Sequence, residues 1–405
     1  MINIHEEIIK EANSIYNNLI KIRRDLHQNP EISGNEVETS RKIEKYLKDL
    51  GVEVRSKIGG CGVVGILRGT RPGKSIAWRA DMDALKDDSP DVVDFPSKVT
   101  GIRHTCGHDV NTTIALGIAA VLHSFKRYIK GTIVFIFQPA EEDLSGADKM
   151  IREGILDDLQ IESIFASHIV PLPAGVVSVK SKEMYYVRKK IEIKLDMVET
   201  TDNIVNQCIS LLKQLTKIFD APRFNDISSL IDPALGVNSP NSIFKDYIFL
   251  EKEIKVEKSG SELSIEASFK SSNEENLFDA LNKLKSDISR KEWQSKVKSV
   301  EFSFEQPFIY NDPETTDLTI DMIKSIYGEN SSMSLYGVIP NFNEDFALFQ
   351  QRVKGVYFFL GGSDYKKGII SLPHSPNFAV DESSIEAGVK YFSSMLYEYL
   401  HTINN

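Results

Sequence analysis

Apolar residues near the N-terminus recur at steps of three and four positions, which is the spacing of one face of an α-helix. They run from Ile4 to Leu26 and predict an amphipathic helix that Pro30 would end. A second helical stretch covers residues 36–50 and stops at Gly51. The chain therefore opens with two predicted helices.

Short apolar runs bounded by turn residues then alternate with helical stretches. Strands are predicted at residues 75–78, 132–137 and 163–166, and helices at residues 114–125 and 147–153. Strand and helix in alternation are typical of an α/β domain with a largely parallel sheet.

The pattern changes after Lys182. It predicts strand, helix, two strands and helix, at residues 191–195, 205–219, 248–256, 263–269 and 277–288. The first pattern then returns, with a helix at 317–327, a buried strand at 356–360 and a final helix at 383–400. The simplest interpretation is one domain in two pieces, residues 1–186 and 297–405, interrupted by an inserted α+β domain of residues 187–296.

Composition and charge narrow the class of protein. The chain has 405 residues, of which 41% are hydrophobic and 26% charged, as in globular proteins. Its 58 acidic and 48 basic residues give a net charge of −10, which argues against a nucleic-acid partner or an anionic membrane surface. The three cysteines have unrelated spacings, and the N-terminal segment lacks a secretory or transit pattern, so we expect a cytoplasmic protein.

Polar side chains follow the predicted strands, where open α/β sheets bind their ligands. Asp81 and Asp83 follow the first strand, Glu141 and Glu142 the second, and His168 the third. The segment from His104 to Asp109 precedes a helix. These residues place carboxylates, imidazoles and a thiol at one edge of the sheet.

Each of these features has an ordinary alternative when taken alone. Cys106 and His108 are separated by one glycine and suit a first-row metal ion, but a buried thiol beside a helix-capping loop has the same pattern. Glu141 and Glu142 could form a solvated helix start, or one could bind a metal while the other acts as a base.

Two further histidines extend this set. His168 follows a strand and His374 lies between two prolines, and each alone is compatible with an ordinary core or surface histidine. A rival chemical interpretation is a nucleophilic Cys106 with a histidine base. It would leave two carboxylates and two histidines without roles.

Five segments resemble, in order and approximate spacing, the motifs of the M20 metallopeptidase family. The specific branch is the amidohydrolase or aminoacylase-like one, which includes N-acyl-amino-acid and auxin-conjugate hydrolases. The segments are LHQNPE (26–31), RADMDAL (79–85), HTCGHD (104–109), FQPAEE (137–142) and HSP (374–376). The resemblance implies a zinc-peptidase-like domain with a mostly parallel central sheet, and a ferredoxin-like lid or dimerisation domain as the insert.

The resemblance also implies roles for single residues. Glu141 matches the general base that takes a proton from water and later delivers it to the leaving amine. Asp81 matches an aspartate that orients a metal-binding histidine in other branches, although Arg79 replaces that histidine here. The ligands of one or two divalent ions (zinc, manganese, cobalt or nickel) match Cys106, His108, Glu142, His168 and His374.

The insert departs from the family pattern. Family members generally carry a lid loop whose histidine stabilises the oxyanion of the tetrahedral intermediate, yet no histidine occurs here between His168 and His374. The strand that ends near Met197 instead runs almost directly into the helix near Asn203. Asn241 resembles a family asparagine that contacts substrate, with an ordinary turn residue as the alternative.

The sequence therefore predicts a homodimeric, metal-dependent hydrolase. It would cleave the amide bond of a small N-acyl amino acid or peptide-like substrate, with a metal-activated water and Glu141 as the base. The alternative is a catalytically weak or inactive relative that binds metal and a small acylated ligand. The complete set of metal and base residues favours retained hydrolysis.

Overall fold

The computed structural model describes residues 3–196, 200–218 and 221–404. The chain divides into two compact units. Unit 1 comprises the described residues up to Lys182, together with Tyr310–Ser334 and the residues from Glu344 onward. Unit 2 comprises Glu183–Ile309 and Leu335–Asn343. The predicted insert, residues 187–296, lies within unit 2, and its boundaries stay a prediction.

The helices confirm the periodic stretches of the sequence. Helix α1 begins after Asn3, whose side chain accepts the N–H group of His5, and it buries the apolar stripe that includes Leu19 and Leu26. The helices, in chain order, are α1 (Ile4–Gln28), α2 (Val37–Asp49), α3 (His108–Ser124), α4 (Gly146–Arg152), α5 (Ile155–Asp158), α6 (Asp202–Lys213), α7 (Ala221–Phe224), α8 (Glu274–Ser289), α9 (Pro313–Tyr327), α10 (Phe346–Gln350) and α11 (Ser383–Ile403).

The strands, in chain order, are β1 (Glu53–Ile58), β2 (Gly62–Arg68), β3 (Arg71–Asp81), β4 (Leu85–Lys86), β5 (Ile102–Arg103), β6 (Lys130–Gln138), β7 (Ile161–Pro173), β8 (Val177–Val179), β9 (Lys182–Glu183), β10 (Val187–Asp196), β11 (Ile248–Ser259), β12 (Glu262–Ser271), β13 (Val297–Glu305), β14 (Tyr310–Asn311), β15 (Ser332–Ser334) and β16 (Lys354–Ser363).

Unit 1 is built on an eight-stranded sheet in the order β1-β2-β6-β3-β7-β16-β8-β15. The central neighbours β6, β3, β7 and β16 are parallel, as predicted, because they are joined through helices rather than hairpins. Strands β1 and β2 add an antiparallel edge that the sequence analysis did not identify. The parallel strands bring their carboxyl ends to one edge of the sheet.

Two helices differ from their predicted limits by six residues at one end. Helix α3 begins at His108 rather than at the predicted residue 114, because most residues of its first turns are polar but buried and hide the apolar periodicity. Helix α6 ends at Lys213, short of the predicted residue 219, and Phe219 itself lies outside the described residues.

Unit 2 contains a four-stranded antiparallel sheet in the order β11-β12-β10-β13. One face of β10 buries Ile191, Ile193 and Leu195 in a common core with apolar residues of α6 and α8. This is the α+β arrangement that the sequence predicts for the insert. Among the described helices of the chain, none is both long and apolar enough to cross a membrane.

Candidate metal centre and active site

The structure brings together six side chains that the sequence analysis selected: Cys106, His108, Glu141, Glu142, His168 and His374. They form overlapping groups of three whose possible ligand atoms all lie within 4.8 Å of one another. All six belong to unit 1. Glu141 and Glu142 follow the end of β6, as predicted, but His168 lies inside β7, because this strand continues to Pro173 instead of ending at residue 166. The roles that the resemblance implies for them stay predictions.

The thiol of Cys106 lies between two imidazoles. Its Sγ atom is 3.4 Å from Nε2 of His168 and 3.2 Å from Nε2 of His374. His168 donates its Nδ1 hydrogen to the carbonyl of Ile169 at 2.7 Å, so its Nε2 lone pair faces the thiol. Three possible soft or borderline ligands therefore converge on one point.

His108 faces the two glutamates. Its Nε2 atom is 3.7 Å from Oε1 of Glu142 and 3.9 Å from Oε2 of Glu141. His374 approaches the same Oε1 of Glu142 at 3.4 Å. Glu142 therefore connects the two histidine-containing groups.

Local backbone conformations set these directions. Gly107 has a φ of +87° and precedes α3, which lets Cys106 and His108 point to the same place. Ala140 and His374 also have positive φ values, +53° and +58°, which residues other than glycine rarely adopt. Such conformations persist where surrounding contacts hold them, and they are common at functional sites.

The buried atoms of the cluster fit a divalent metal ion. Nε2 of His108 and Oε1 of Glu142 are buried and have no hydrogen-bond partner among the described residues. Leaving buried polar atoms without partners costs free energy, which a bound cation would offset. A thiol, imidazoles and a carboxylate are also the donors that zinc and its first-row neighbours prefer.

Asp83, to which the sequence analysis assigned no role, makes the contact expected of an orienting aspartate. Its Oδ1 atom and its backbone carbonyl lie 3.1 Å and 3.0 Å from Nδ1 of His108. Asp81 instead accepts hydrogen bonds from Arg79 at 2.6 Å and Asn111 at 2.8 Å. Its Oδ1 atom lies 3.9 Å from Nε2 of His108, and its implied role stays a prediction. From the sequence, Asp83 could be recognised only as a second acidic residue after the strand predicted at residues 75–78.

The pKa values of the two adjacent glutamates are shifted in opposite directions. Burial raises the pKa of Glu141 well above its usual range, and the carboxylates of Glu344 and Asp345 add to the shift. Burial also acts on Glu142, but the nearby side chain of His374 and the charge of His108 outweigh it and lower the pKa of Glu142. Neighbouring carboxyls with diverging pKa values are typical of acid–base sites.

Glu344 and Asp345 were not selected from the sequence. They lie immediately before α10, and Arg79 contacts them at 3.0 Å and 3.2 Å. Both are buried beside Glu141. Only the fold brings these carboxyls, some two hundred positions from Glu141 in the sequence, into its environment.

The charges around Cys106 and His108 favour a cation over a nucleophilic thiolate. Burial, followed by the carboxylates of Glu142 and Glu141, raises the pKa of the Cys106 thiol well above its usual range. Burial alone would lower the pKa of His108, but Asp81 and Asp83 raise it to about 10. A thiol of this kind is inert as a nucleophile, whereas a bound cation would deprotonate it.

Asn241 belongs to unit 2 and lies in a turn. Its side chain is exposed, and its backbone N–H donates to Oγ of Ser239 at 3.1 Å. Its proposed contact with substrate stays a prediction. The connection from Met197 to Asn203 falls partly outside the described residues, since residues 197–199 are not described.

Comparison with known proteins identifies the family. Residues 77–398 match the model of peptidase family M20/M25/M40. The chain is 32% identical to thermostable carboxypeptidase 2 of Saccharolobus solfataricus over 95% of each chain, and 27% identical to N-acetylcysteine deacetylase of Bacillus subtilis over 96% of this chain and 99% of that protein. The structure of Bacillus subtilis YXEP protein, described as a dinuclear metal binding peptidase from the M20 family, matches with a TM-score of 0.71 at 25% identity and covers 96% of this chain and 100% of that one. With most of its length matched by the family model, this chain belongs to peptidase family M20/M25/M40 and is a metal-dependent hydrolase.

Proposed function

We propose that this enzyme hydrolyses the amide bond of a small N-acyl amino acid or short peptide-like substrate. The observation that carries the proposal is a group of convergent metal-ligand donors beside Glu141, a buried carboxyl whose pKa is raised. The similarity to a deacetylase that is named for an N-acetyl amino acid supports this substrate class.

The residues proposed to hold the metal are Cys106, His108, Glu142, His168 and His374. When bound, a divalent ion would polarise the scissile carbonyl and increase the acidity of the attacking water. The thiol and imidazole donors favour zinc, cobalt or nickel, and the carboxylates also admit manganese. One ion or two can be accommodated by the overlapping groups of donors.

Glu141 is proposed to move the proton. Its carboxylate would accept a proton from the attacking water and then deliver it to the leaving amine. Positive charge at the donor cluster opposes the rise in the pKa of Glu141, so this carboxyl would titrate nearer to neutrality, where acid–base catalysis is most effective. Asp83 would hold His108 in the tautomer whose Nε2 lone pair faces the cluster.

The test is a metal analysis of protein purified without chelator, combined with an assay on N-acyl amino acids and dipeptides. We expect a bound divalent ion and turnover that chelation abolishes. Metal without turnover on any member of the panel would contradict the proposal and favour a non-catalytic binder. Turnover that survives chelation but is lost on thiol alkylation would point to Cys106 as a nucleophile.

A second candidate function has one specific observation in its favour. The stretch between His168 and His374, which spans the whole insert, contains no histidine, so the oxyanion donor that the family resemblance implies is missing. A catalytically weak or inactive relative that retains metal and acylated-ligand binding accounts for this departure. The same metal and turnover measurements separate the two functions.

The partner of the chain is proposed to be a second copy, bound through unit 2. Strands β11 and β13 are the two edges of the four-stranded sheet, and unpaired edges favour association with another strand. Sedimentation at micromolar concentration should therefore show a dimer of the 45.6 kDa chain. Finding only a monomeric species would contradict this proposal without affecting the proposed reaction.

A further inference from the structure

Residues 138–147, here called the base loop, carry Glu141 and Glu142 from the last residue of β6 to the first two residues of α4. Three buried carboxylates from different parts of unit 1 accept backbone N–H groups of this loop. Asp83 accepts from Glu142 at 3.0 Å, Asp345 accepts from Ala147 at 3.0 Å, and Glu36 accepts from Ala140 at 2.7 Å. The loop is therefore held at three points along its length.

We propose that Glu36 is a positioning residue of the active site, which sets the direction of Glu141 and Glu142 by holding the N–H group of Ala140. The proposal rests on the function proposed above for these two glutamates. Glu36 acts through the backbone of the base loop, since its hydrogen bond to the loop ends on Ala140.

Glu36 is well placed for this role because it is itself immobilised. It immediately precedes α2, is fully buried, and its Oε1 atom also accepts the N–H group of Gly34 at 2.9 Å. A carboxylate that accepts two backbone hydrogen bonds in a buried environment is held more firmly than one exposed to water. The oxygen that meets Ala140 therefore has a fixed position.

Ala140 is the point in the base loop where such an anchor matters most. It directly precedes Glu141 and has a φ of +53°, a conformation that is unfavourable for alanine. Its carbonyl also accepts the N–H groups of Ser145 and Gly146, at 3.2 Å and 3.0 Å. Without Glu36, the loop would be free to relax at this residue, and the side chains that follow would turn away from the donor cluster.

The turn before α2 supports a second part of the same site. Ser33, three residues before Glu36, donates its hydroxyl to Oδ2 of Asp83 at 2.7 Å. Asp83 in turn contacts both His108 and the backbone of Glu142. One short segment thus fixes the base loop and the orienting carboxylate together.

The experiment compares three variants of the full chain. Glu36→Ala removes the acceptor, and Glu36→Gln retains an oxygen that can accept the Ala140 N–H group. Glu31→Ala is the matched control, because Glu31 accepts the N–H groups of Glu38 and Thr39 and so caps the same helix, but it makes these contacts within α2. The readouts are hydrogen exchange at the Ala140 amide and calorimetric affinity of metal-free protein for zinc.

We expect Glu36→Ala to speed exchange at Ala140 and to weaken zinc binding by about 10- to 100-fold, the range found when groups that support metal ligands are removed. Glu36→Gln should restore most of the affinity, and Glu31→Ala should lower the melting temperature while leaving zinc affinity close to that of the wild type. If the wild type turns over a substrate, Glu36→Ala should lower kcat more than it raises KM.

Three results would overturn the proposal: unchanged exchange and zinc affinity in Glu36→Ala, failure of Glu36→Gln to restore affinity, or an equal loss of affinity in Glu31→Ala. A failure of the proposed function would give a different result. If the wild type binds zinc but hydrolyses nothing, the exchange and affinity measurements still decide whether Glu36 positions the base loop.

Discussion

The adjacent residues Glu141 and Glu142 show how two identical side chains acquire different chemistry from their surroundings. Glu142 lies among histidines that stabilise its ionised form, whereas Glu141 lies against the further carboxyls of Glu344 and Asp345. The first environment suits a metal ligand, and the second suits a carboxyl that alternately takes and gives a proton.

We predict that Glu141→Gln retains the fold and the metal content but lowers turnover by at least ~100-fold, within the usual range for acid–base catalysis. The amide has a similar size and cannot accept a proton at neutral pH. The measurement is kcat on the best substrate of the panel, with metal content determined on the same preparation. Asp143→Asn, at an exposed neighbouring position, is the control and should behave as the wild type. Equal turnover in Glu141→Gln and wild type would remove Glu141 from the mechanism.

His27 provides a prediction about how the stability of the fold depends on pH. It is buried, with Nδ1 2.8 Å from Asp109 and Nε2 3.0 Å from Asp91. Burial alone would lower the pKa of His27, but the two carboxylates raise it above the ordinary 6.5. The pKa of Asp91 is lowered to about 2, because the hydrogen bond from His27 outweighs burial, so this partner stays ionised near neutrality.

The sign of the pH effect follows from linkage. A group whose pKa is higher in the folded than in the unfolded chain stabilises the fold fully below the unfolded value, and this contribution is lost as pH rises through the folded value. His27→Gln should therefore reduce the free energy of unfolding more at pH 6 than at pH 9. Urea unfolding of both proteins at the two pH values measures this, and a difference that grows with pH would contradict it.

At the scale of elements, periodic apolar spacing predicted α1, α2 and α11 closely, because each presents an apolar stripe to the core of unit 1. It failed at the start of α3, where Asp109, Asn111 and Thr112 are polar but buried. Their partners lie on other elements, for example Asp81 at the end of β3 for Asn111. Where a functional site requires buried polar residues, the pattern of apolar and polar positions no longer shows where a helix begins.

The junction before α3 carries the next prediction. Gly107 has a φ of +87°, and a Cβ atom there would lie 2.2 Å from Cγ2 of Ile169. Gly107→Ala should therefore shift the segment that joins Cys106 to His108. We expect a loss of zinc affinity of at least ~10-fold, as for other changes that misplace ligands, measured by calorimetry on metal-free protein.

Gly154→Ala is the matched control for this prediction. Gly154 also has a positive φ, +82°, and precedes a helix, but the nearest atom to its added Cβ would be 3.7 Å away. In both variants an alanine must adopt a left-handed backbone conformation, which is unfavourable, so both proteins should have a lower melting temperature than the wild type. Only Gly107→Ala should lose zinc affinity, and an equal loss in the two would show that general destabilisation is the cause.

For the whole molecule, the candidate site could be predicted in outline because its motifs are local. The pairs Cys106 and His108, and Glu141 and Glu142, are recognisable in the sequence because each pair combines possible metal ligands within a few positions of a strand end. The supporting residues could not be predicted in the same way. Glu36 and Asp345 reach the base loop from segments far away in the sequence, and only the packing of unit 1 brings their carboxylates to it.

The insert departs from the pattern that the family resemblance implies, and the last prediction concerns the effect of this departure on the rate of hydrolysis. The resemblance implies a lid histidine that stabilises the oxyanion, and none occurs between His168 and His374. Loss of one oxyanion donor in another hydrolase costs ~10²–10³ in rate. Unless another donor replaces it, such as Asn241 or Arg188 at the start of β10, this enzyme should turn over standard N-acetyl amino acids slowly.

Loss of a contact that is made only in the transition state lowers kcat and kcat/KM alike, so the deficit should lie in kcat and leave KM nearly unchanged. The measurement is kcat on N-acetyl-methionine, compared with a family member that carries the lid histidine, under the same metal and pH. Equal kcat values for the two enzymes would show that the histidine is dispensable and that another donor serves the oxyanion. A low kcat with an ordinary KM would show instead that this chain retains the metal and base residues but lacks part of the stabilisation of the transition state.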